Sequence, residues 1–308
     1  MPRPSPETFQ TSAVRPDDFD PFWQDVLAQA EAIPLNPQIE RVPLRSTPQV
    51  EVYEVHYDSL DGVRIAAWYC LPTQRQGKLP AIVQVPGYIG EPPIPKDWAR
   101  AGYAALSVAP RGKLRSNAQF NPGYPGLLTH NMVDRNTYGY KGFYIDAVRA
   151  FDWIQGCQEV DTQRIGVTGS SQGGGLTLAV TALRPQVRAA AAGAPYLCGF
   201  MDAIELTHTY PYQEIRDYLR FYPERQEAVR QTLEYFDGIH FAPRITCPII
   251  VNLGLQDNIC PPETGYALFA HLASQDKQLF TYDQYGHDAG GAEHRAVVQD
   301  FFARHLIP

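Results

Sequence analysis

A serine, a carboxylate and a histidine define the chemistry open to this chain. The stretch Ile165 to Gly175 reads IGVTGSSQGGG, and within it Gly169, Ser171 and Gly173 fill a G-x-S-x-G pattern. Small residues on both sides of the serine let the backbone bend sharply from a strand into a helix, so its hydroxyl stands clear of the sheet. The Gln172 N–H then points to where the oxygen of an attacked carbonyl would lie, beside the positive end of the following helix. Taken alone, the pattern also fits a glycine-rich loop that merely turns a strand into a helix. Downstream, Asp257 comes four residues after the apolar run Cys247 to Leu253, and His287 follows the run Leu279 to Tyr282. Serine, acid and base thus appear in that order, each just beyond an inferred strand, which is the placement needed for a nucleophile, its base and the group that orients the base.

Each residue type is required for a reason. A serine hydroxyl is a poor nucleophile until a base takes its proton; His287 can do this near neutral pH and return the proton to a leaving alcohol. A carboxylate at Asp257 fixes the imidazole tautomer and stabilises imidazolium without taking the proton itself. Ser170 is the rival nucleophile, one place early in the turn, and Asp283 and Asp288 are rivals for the acid. The oxyanion donors are expected from the backbone of Gln172 and of Tyr88, which follows another buried run. Arg111, Pro195 and Tyr196 fall at the same end of the sheet, as substrate contacts or as supports for the loops there. His208 and His240 are further candidates for touching substrate. His287, Glu293 and His294 do not form an H-E-x-x-H motif, so neither a metal nor a cofactor is expected.

These residues need strands to deliver them. The first fifteen residues are polar and proline-bearing and read as a loose arm; arm and first helix together occupy residues 1–40. Asp20 before Pro21, with Phe22, Trp23, Val26, Leu27 and Ala30 at helical spacing, reads as an N-cap, a proline at the first helical position and one apolar face. That face must be covered by the chain's own core or by a neighbouring subunit. Val50 to Tyr57 and Val63 to Tyr69, joined by Asp61-Gly62, read as an antiparallel hairpin at one edge of a sheet. Leu79 to Val85 and Tyr103 to Ala109 are buried strands, Arg111-Gly112-Lys113 follows, and then a polar loop runs to about Asp134. A helix from Gly142 to Gly156 crosses back to the serine strand, a second follows from Gln172 to about Leu183, and Val187 to Ala194 is the next strand. Strands alternating with helices predict an α/β architecture, a mostly parallel sheet covered on both faces, with its site beyond the carboxyl ends of the strands. Residues 196–242 break the rhythm and read as a helical insertion packed over that site, within one domain spanning 1–308.

Composition narrows the function classes. A chain of 308 residues, 44% hydrophobic and 19% charged, can bury roughly 75% of its extended surface. A net charge of −7 offers no basic footprint for nucleic acid, and no uncharged run approaches the roughly 20 residues of a membrane span. The N-terminal residues show no signal-peptide pattern, and the five scattered cysteines do not suggest a disulfide framework, so a cytoplasmic location is expected.

With these residues in view, the chain resembles carbohydrate esterase family seven, the acetyl xylan esterases and cephalosporin C deacetylases of the α/β-hydrolase superfamily, over nearly its whole length. Asp18-Phe19-Asp20-Pro21-Phe22-Trp23 is similar to the family's early D-F-D-x-F-W, and Gly169 to Gly173 keeps its G-x-S-Q-G turn. Gly87-Tyr88, Tyr144 to Ala150 and Gly254 to Pro262 are similar to its oxyanion loop, the helix after its long loop and its acid loop. The resemblance implies an α/β-hydrolase fold, a Ser171-His287-Asp257 triad, oxyanion donors at Tyr88 and Gln172, and deacetylation of small substrates such as acetylated xylo-oligosaccharides or cephalosporin C. It also implies a closed homohexamer. The family's R-G-Q is Arg111-Gly112-Lys113 here, and its His-Glu pair is His287-Asp288. The other readings are a serine hydrolase of another small ester or thioester, and a noncatalytic binding or scaffold protein.

Overall fold

Short apolar runs separated by helices fold into a nine-stranded sheet in the computed structural model, which describes residues 4–307. The strands are β1 (Gln38–Arg41), β2 (Val50–Asp58), β3 (Arg64–Pro72), β4 (Leu79–Gln84), β5 (Ala104–Ala109), β6 (Val160–Ser170), β7 (Ala189–Gly193), β8 (Ile249–Gly254) and β9 (Lys277–Tyr282). Their order across the sheet is β1-β2-β3-β5-β4-β6-β7-β8-β9. Pairing is antiparallel from β1 to β5 and parallel from there to β9. The helices are α1 (Phe19–Glu31), α2 (Lys96–Arg100), α3 (Gly139–Gln155), α4 (Gln172–Leu183), α5 (Phe200–Leu206), α6 (Gln213–Phe221), α7 (Gln226–Glu234), α8 (Gly238–Phe241), α9 (Pro262–His271) and α10 (Gly291–Leu306).

Side chains alternate across a strand, so one strand feeds two cores. Ala81 and Val83 join the large cluster formed with α1, α3, α4 and the insertion, whereas Ile82 between them packs with Phe301, Phe302 and Leu306 of α10. β6, β7 and β8 lie inside the sheet, so their carboxyl ends open together on one rim.

A buried ion pair ties the hairpin to this frame. Asp146 of α3 accepts from Arg111 Nε at 2.9 Å, Arg111 Nη2 at 3.0 Å, the Arg111 N–H at 2.8 Å and Ser59 Oγ at 2.5 Å. Arg111 also donates to the Leu60 carbonyl at 2.8 Å. With every polar edge of the guanidinium engaged in the scaffold, Arg111 is placed to support the loop.

Several local expectations are corrected. α1 begins at Phe19, with Asp18 and not Asp20 at the cap position and Pro21 inside the first turn. The Asp18 carboxylate is drawn away to Arg135 and to the Tyr235 hydroxyl, and makes no capping bond of its own. The aromatic face of α1 is covered by this chain itself. Trp23 stacks on Tyr144, meets Phe236 edge-on, and donates its indole N–H to the Tyr235 carbonyl at 2.8 Å. The N-terminal arm is also held: Thr11 and Ser12 bond to Asp202, and the Val14 N–H bonds to Glu234. The hairpin is not the sheet's edge, because β1 pairs outside it; all four β1 residues are exposed, so no apolar periodicity announced the strand. The loop read as polar buries Leu127, Leu128 and Met132, and α3 starts three residues before the expected Gly142. His240 is a packing residue, buried edge-on to Phe19 with Nε2 2.7 Å from Glu234, and His208 is exposed.

Trp23 joins α1, α3 and the insertion. Trp23→Ala is expected to cost about 3–5 kcal/mol of stability, read as a lowered midpoint in equilibrium denaturation.

Candidate active site

The turn after β6 is set by close backbone approach. Ser171 sits at φ 60°, ψ −124°, a region that non-glycine residues seldom occupy and that marks a strained, over-determined position. A Cβ on Gly169 would lie 2.7 Å from the Val85 carbonyl oxygen, and one on Gly173 only 2.5 Å from it. The two glycines are what let β4 and the start of α4 close on either side of the serine. The turn is pinned by Ser171 N–H to Gly193 O at 2.9 Å and Tyr196 N–H to Ser171 O at 2.9 Å. Tyr196 thus supports the turn through its backbone, and Pro195 lies close against Gly174 of α4; the Tyr196 ring is buried against Tyr212.

The acid and base converge on the serine from the loops after β8 and β9. Asp257 is buried; its Oδ1 accepts from the N–H groups of Ile259 at 2.8 Å and Cys260 at 2.9 Å, which aims Oδ2 at His287 Nδ1, 2.8 Å away. With Nδ1–H donating to the carboxylate, Nε2 carries the lone pair. Ligand-type atoms of Asp257, Cys260 and His287 all lie within 4.8 Å of one another, and the Ser171 side chain lies against the Cys260 thiol. Burial pushes that thiol well above its ordinary pKa, which is unlike a thiolate held ready for a metal. Asp283 and Asp288 are exposed, and neither bonds to the imidazole. Ser170 projects elsewhere, into a cleft of about 450 Å³ shared with Gln84, Trp98, Asn252 and Arg295.

The loop Pro86-Gly87-Tyr88 after β4 faces the serine turn and is held from several sides. The Gln172 side chain donates to the Gly87 carbonyl at 3.1 Å and accepts from the Tyr140 hydroxyl at 2.7 Å. Lys113 Nζ donates to the Gly87 carbonyl at 2.8 Å and to the Tyr88 carbonyl. The Tyr88 hydroxyl donates to Glu214 Oε1 at 2.7 Å and accepts the Leu128 N–H, while the Gly126 N–H bonds the second Glu214 oxygen. Burial raises both the Tyr88 phenol and the Glu214 carboxyl above their ordinary values. It also pulls the Lys113 ammonium down to about 8. The backbone N–H groups of Tyr88 and Gln172 have no acceptor among the described residues. Two donors are therefore left for an incoming oxygen.

A family model described as acetyl xylan esterase matches residues 1–305. The chain belongs to that family. Among solved structures, the acetyl xylan esterase from Paenibacillus sp. R4 superposes with a TM-score of 0.92 at 36% identity, covering 99% of this chain and 100% of that one. Acetyl xylan esterase 1 from Thermoanaerobacterium sp. JW/SL YS485 gives 0.91 at 26% identity, covering 100% of this chain and 99% of that one. The acetyl esterase Axe7A of Xylanibacter ruminicola is 29% identical over 296 residues, 90% of this chain, which spans 65% of that protein's length. Family membership accounts for the Ser-Asp-His order and the turn. It does not by itself reveal Glu214, Tyr140 or the side-chain role of Gln172, all unread in the sequence. Glu214 lies in an insertion rich in acids and aromatics, and nothing in its spacing points back to Tyr88. Lys113 was visible as a departure from the family's amide, but its target was not.

Gly173→Ala is expected to force Val85 or α4 to shift. Stability should fall by about 1–3 kcal/mol, and kcat should fall at least tenfold with KM changed little, measured by denaturation and by steady-state kinetics on the folded variant.

Proposed function

We propose that this chain is a serine esterase that removes acetyl groups from small acetylated substrates, among them acetylated xylo-oligosaccharides and cephalosporin C. The observation that carries the reading is the cluster beside the turn, where Asp257 orients His287, the Ser171 side chain adjoins the same group, and two backbone N–H donors stand without acceptors. His287 Nε2 takes the Ser171 proton as Oγ attacks the acetyl carbonyl. The carbonyl oxygen gains the electron pair and accepts from the Tyr88 and Gln172 N–H groups. Collapse expels the alcohol with the proton from His287 and leaves acetyl on Ser171. Water, deprotonated by the same imidazole, then attacks the acyl-enzyme, and collapse releases acetate and the serine hydroxyl. Similarity to two acetyl xylan esterases over their full chains supports acetyl as the acyl group. The triad itself sets acyl transfer and not the leaving group, so other small esters or thioesters are the competing substrates.

Ser171→Ala, freed of host esterase, is expected to fold and to lose roughly 10⁴-fold or more in kcat. His287→Ala should be similarly severe and Asp257→Asn somewhat less so. Wild-type activity in the Ser171→Ala protein would overturn the assignment. On a series of acyl lengths sharing one chromogenic alcohol, kcat/KM should be highest for acetyl; a maximum at octanoyl would reject the acetyl reading and spare the nucleophile.

We also propose a closed homohexamer, on the family resemblance set out above. Exposed apolar side chains at Ile89 and Leu114 beside the oxyanion loop, and at Leu44 and Phe221, are the surface that partner copies would cover. Light scattering coupled to size exclusion should give about six times the 34.5 kDa chain mass; a monodisperse monomer at micromolar concentration would refute the assembly.

A further inference from the structure

We propose that Lys113 is a positioning residue of the oxyanion hole, whose ammonium holds the Gly87–Tyr88 peptide and polarises the amide that receives the developing negative charge. The inference rests on the reading of Ser171 as nucleophile and of the Tyr88 N–H as oxyanion donor. Its geometric basis is that the Gly87 carbonyl and the Tyr88 N–H are two ends of one planar amide. A cation donating to the carbonyl oxygen increases the double-bond character of the C–N bond and shifts positive charge onto the N–H, so the donor at the far end strengthens. Lys113 Nζ donates to that oxygen at 2.8 Å and to the next carbonyl, that of Tyr88. It applies its charge from behind the loop, without contact with substrate.

The surroundings favour a use for the charge over a simple clamp. Lys113 is buried, yet among the described residues no carboxylate bonds to it. The acceptors are neutral carbonyls, and the Tyr124 ring lies 4.8 Å from Nζ. Glu91, after β4, is the carboxylate whose field reaches the ammonium, and it accepts the Leu114 N–H at 2.6 Å. Glu214, from α6, is engaged by the Tyr88 hydroxyl and the Gly126 N–H. Arg111, two residues before Lys113, is consumed by Asp146 and Asp61. The Gln172 amide already holds the Gly87 carbonyl, so a second neutral donor would suffice for structure. A buried charge is costly, and here it faces the amide that the reaction needs polarised.

The pH dependence has a definite sign. Burial lowers the Lys113 pKa to about 8, so the cation is present below that pH and lost as pH rises through it. Activity should therefore fall above pH 8. The lysine's contribution to folding runs the other way, because the unfolded chain holds this proton up to an ordinary lysine value and the native state does not. Loss of rate in this window is thus separable from unfolding.

The test compares wild type with Lys113→Gln and Lys113→Met on a chromogenic acetate from pH 7 to 9.5, corrected for spontaneous hydrolysis. The rate of Ser171 labelling by a phosphonate ester is followed over the same range, because phosphonylation also builds negative charge on an oxygen. Wild-type kcat should fall about tenfold across the range with KM within twofold. Both variants should be flat there, at roughly one tenth of the wild-type kcat at pH 7, a smaller loss than deletion of an oxyanion donor. Wild-type kcat in Lys113→Gln at pH 7, or an alkaline decline that persists in it, would overturn the proposal while labelling at Ser171 still upheld the nucleophile. Acetate turnover without labelling at Ser171 would overturn both. Should neither variant fold, the wild-type labelling rate decides: a fall through pH 8 with intact structure supports the proposal, and a constant rate rejects it.

Discussion

The approach of Gly169 and Gly173 to the Val85 carbonyl is the constraint from which the rest of the site follows. A Cβ at either glycine would push the Val85 carbonyl away, and the Pro86-Gly87-Tyr88 loop that follows it would no longer face the serine. That contact sets the separation between Ser171 and the Gly87–Tyr88 peptide, and the side chains of Gln172 and Lys113 hold the peptide there. It also leaves Ser171 in an unfavourable backbone region, held there by its bonds to Gly193 and Tyr196. Such local strain persists only where the surroundings over-determine it, and the parallel strands on both sides of β6 supply that determination.

Around this fixed point the protein uses buried polar groups that are bonded to one another across elements distant in sequence. Asp257 receives two backbone N–H groups on Oδ1 and meets His287 through Oδ2. Glu214 reaches from the insertion to the Tyr88 hydroxyl, and Gln172 links the serine turn to the same loop through its side chain. Burial makes each of these bonds matter more, because a partner lost in a low-dielectric interior leaves a polar group unsatisfied. Chemistry and loop geometry are therefore properties of one network.

Much of this could be read from the sequence, for physical reasons that differ by element. The parallel strands were legible because strands buried on both faces are continuous apolar runs, as in Ala81 to Val83 and Ile249 to Val251. Ser171, Asp257 and His287 were legible because strand ends and residue types restrict one another. β1 was not, since a short exposed edge strand made of Gln38, Ile39, Glu40 and Arg41 is specified by its partner rather than by its own pattern. The cap of α1 was misplaced because Asp18 spends its carboxylate on Arg135 and Tyr235, a tertiary choice invisible locally. The aromatic face of α1 gave no means of telling an internal partner from an external one, and the rings of Tyr144 and Phe236, distant in sequence, decide it. Lys113 and Glu214 belong to the same class: their types are visible, but their targets lie 25 and 126 residues away.

The tether of the N-terminal segment has a kinetic corollary. Thr11 and Ser12 are fastened to Asp202 in α5, and Val14 to Glu234 at the end of α7, so the beginning of the chain straps down the layer that covers the sheet's carboxyl rim. That layer is anchored at both places and joined through α6 to the loop beside the serine. Any opening of that layer would first have to break the hydrogen bonds of the strap, a cost that an untethered segment does not carry.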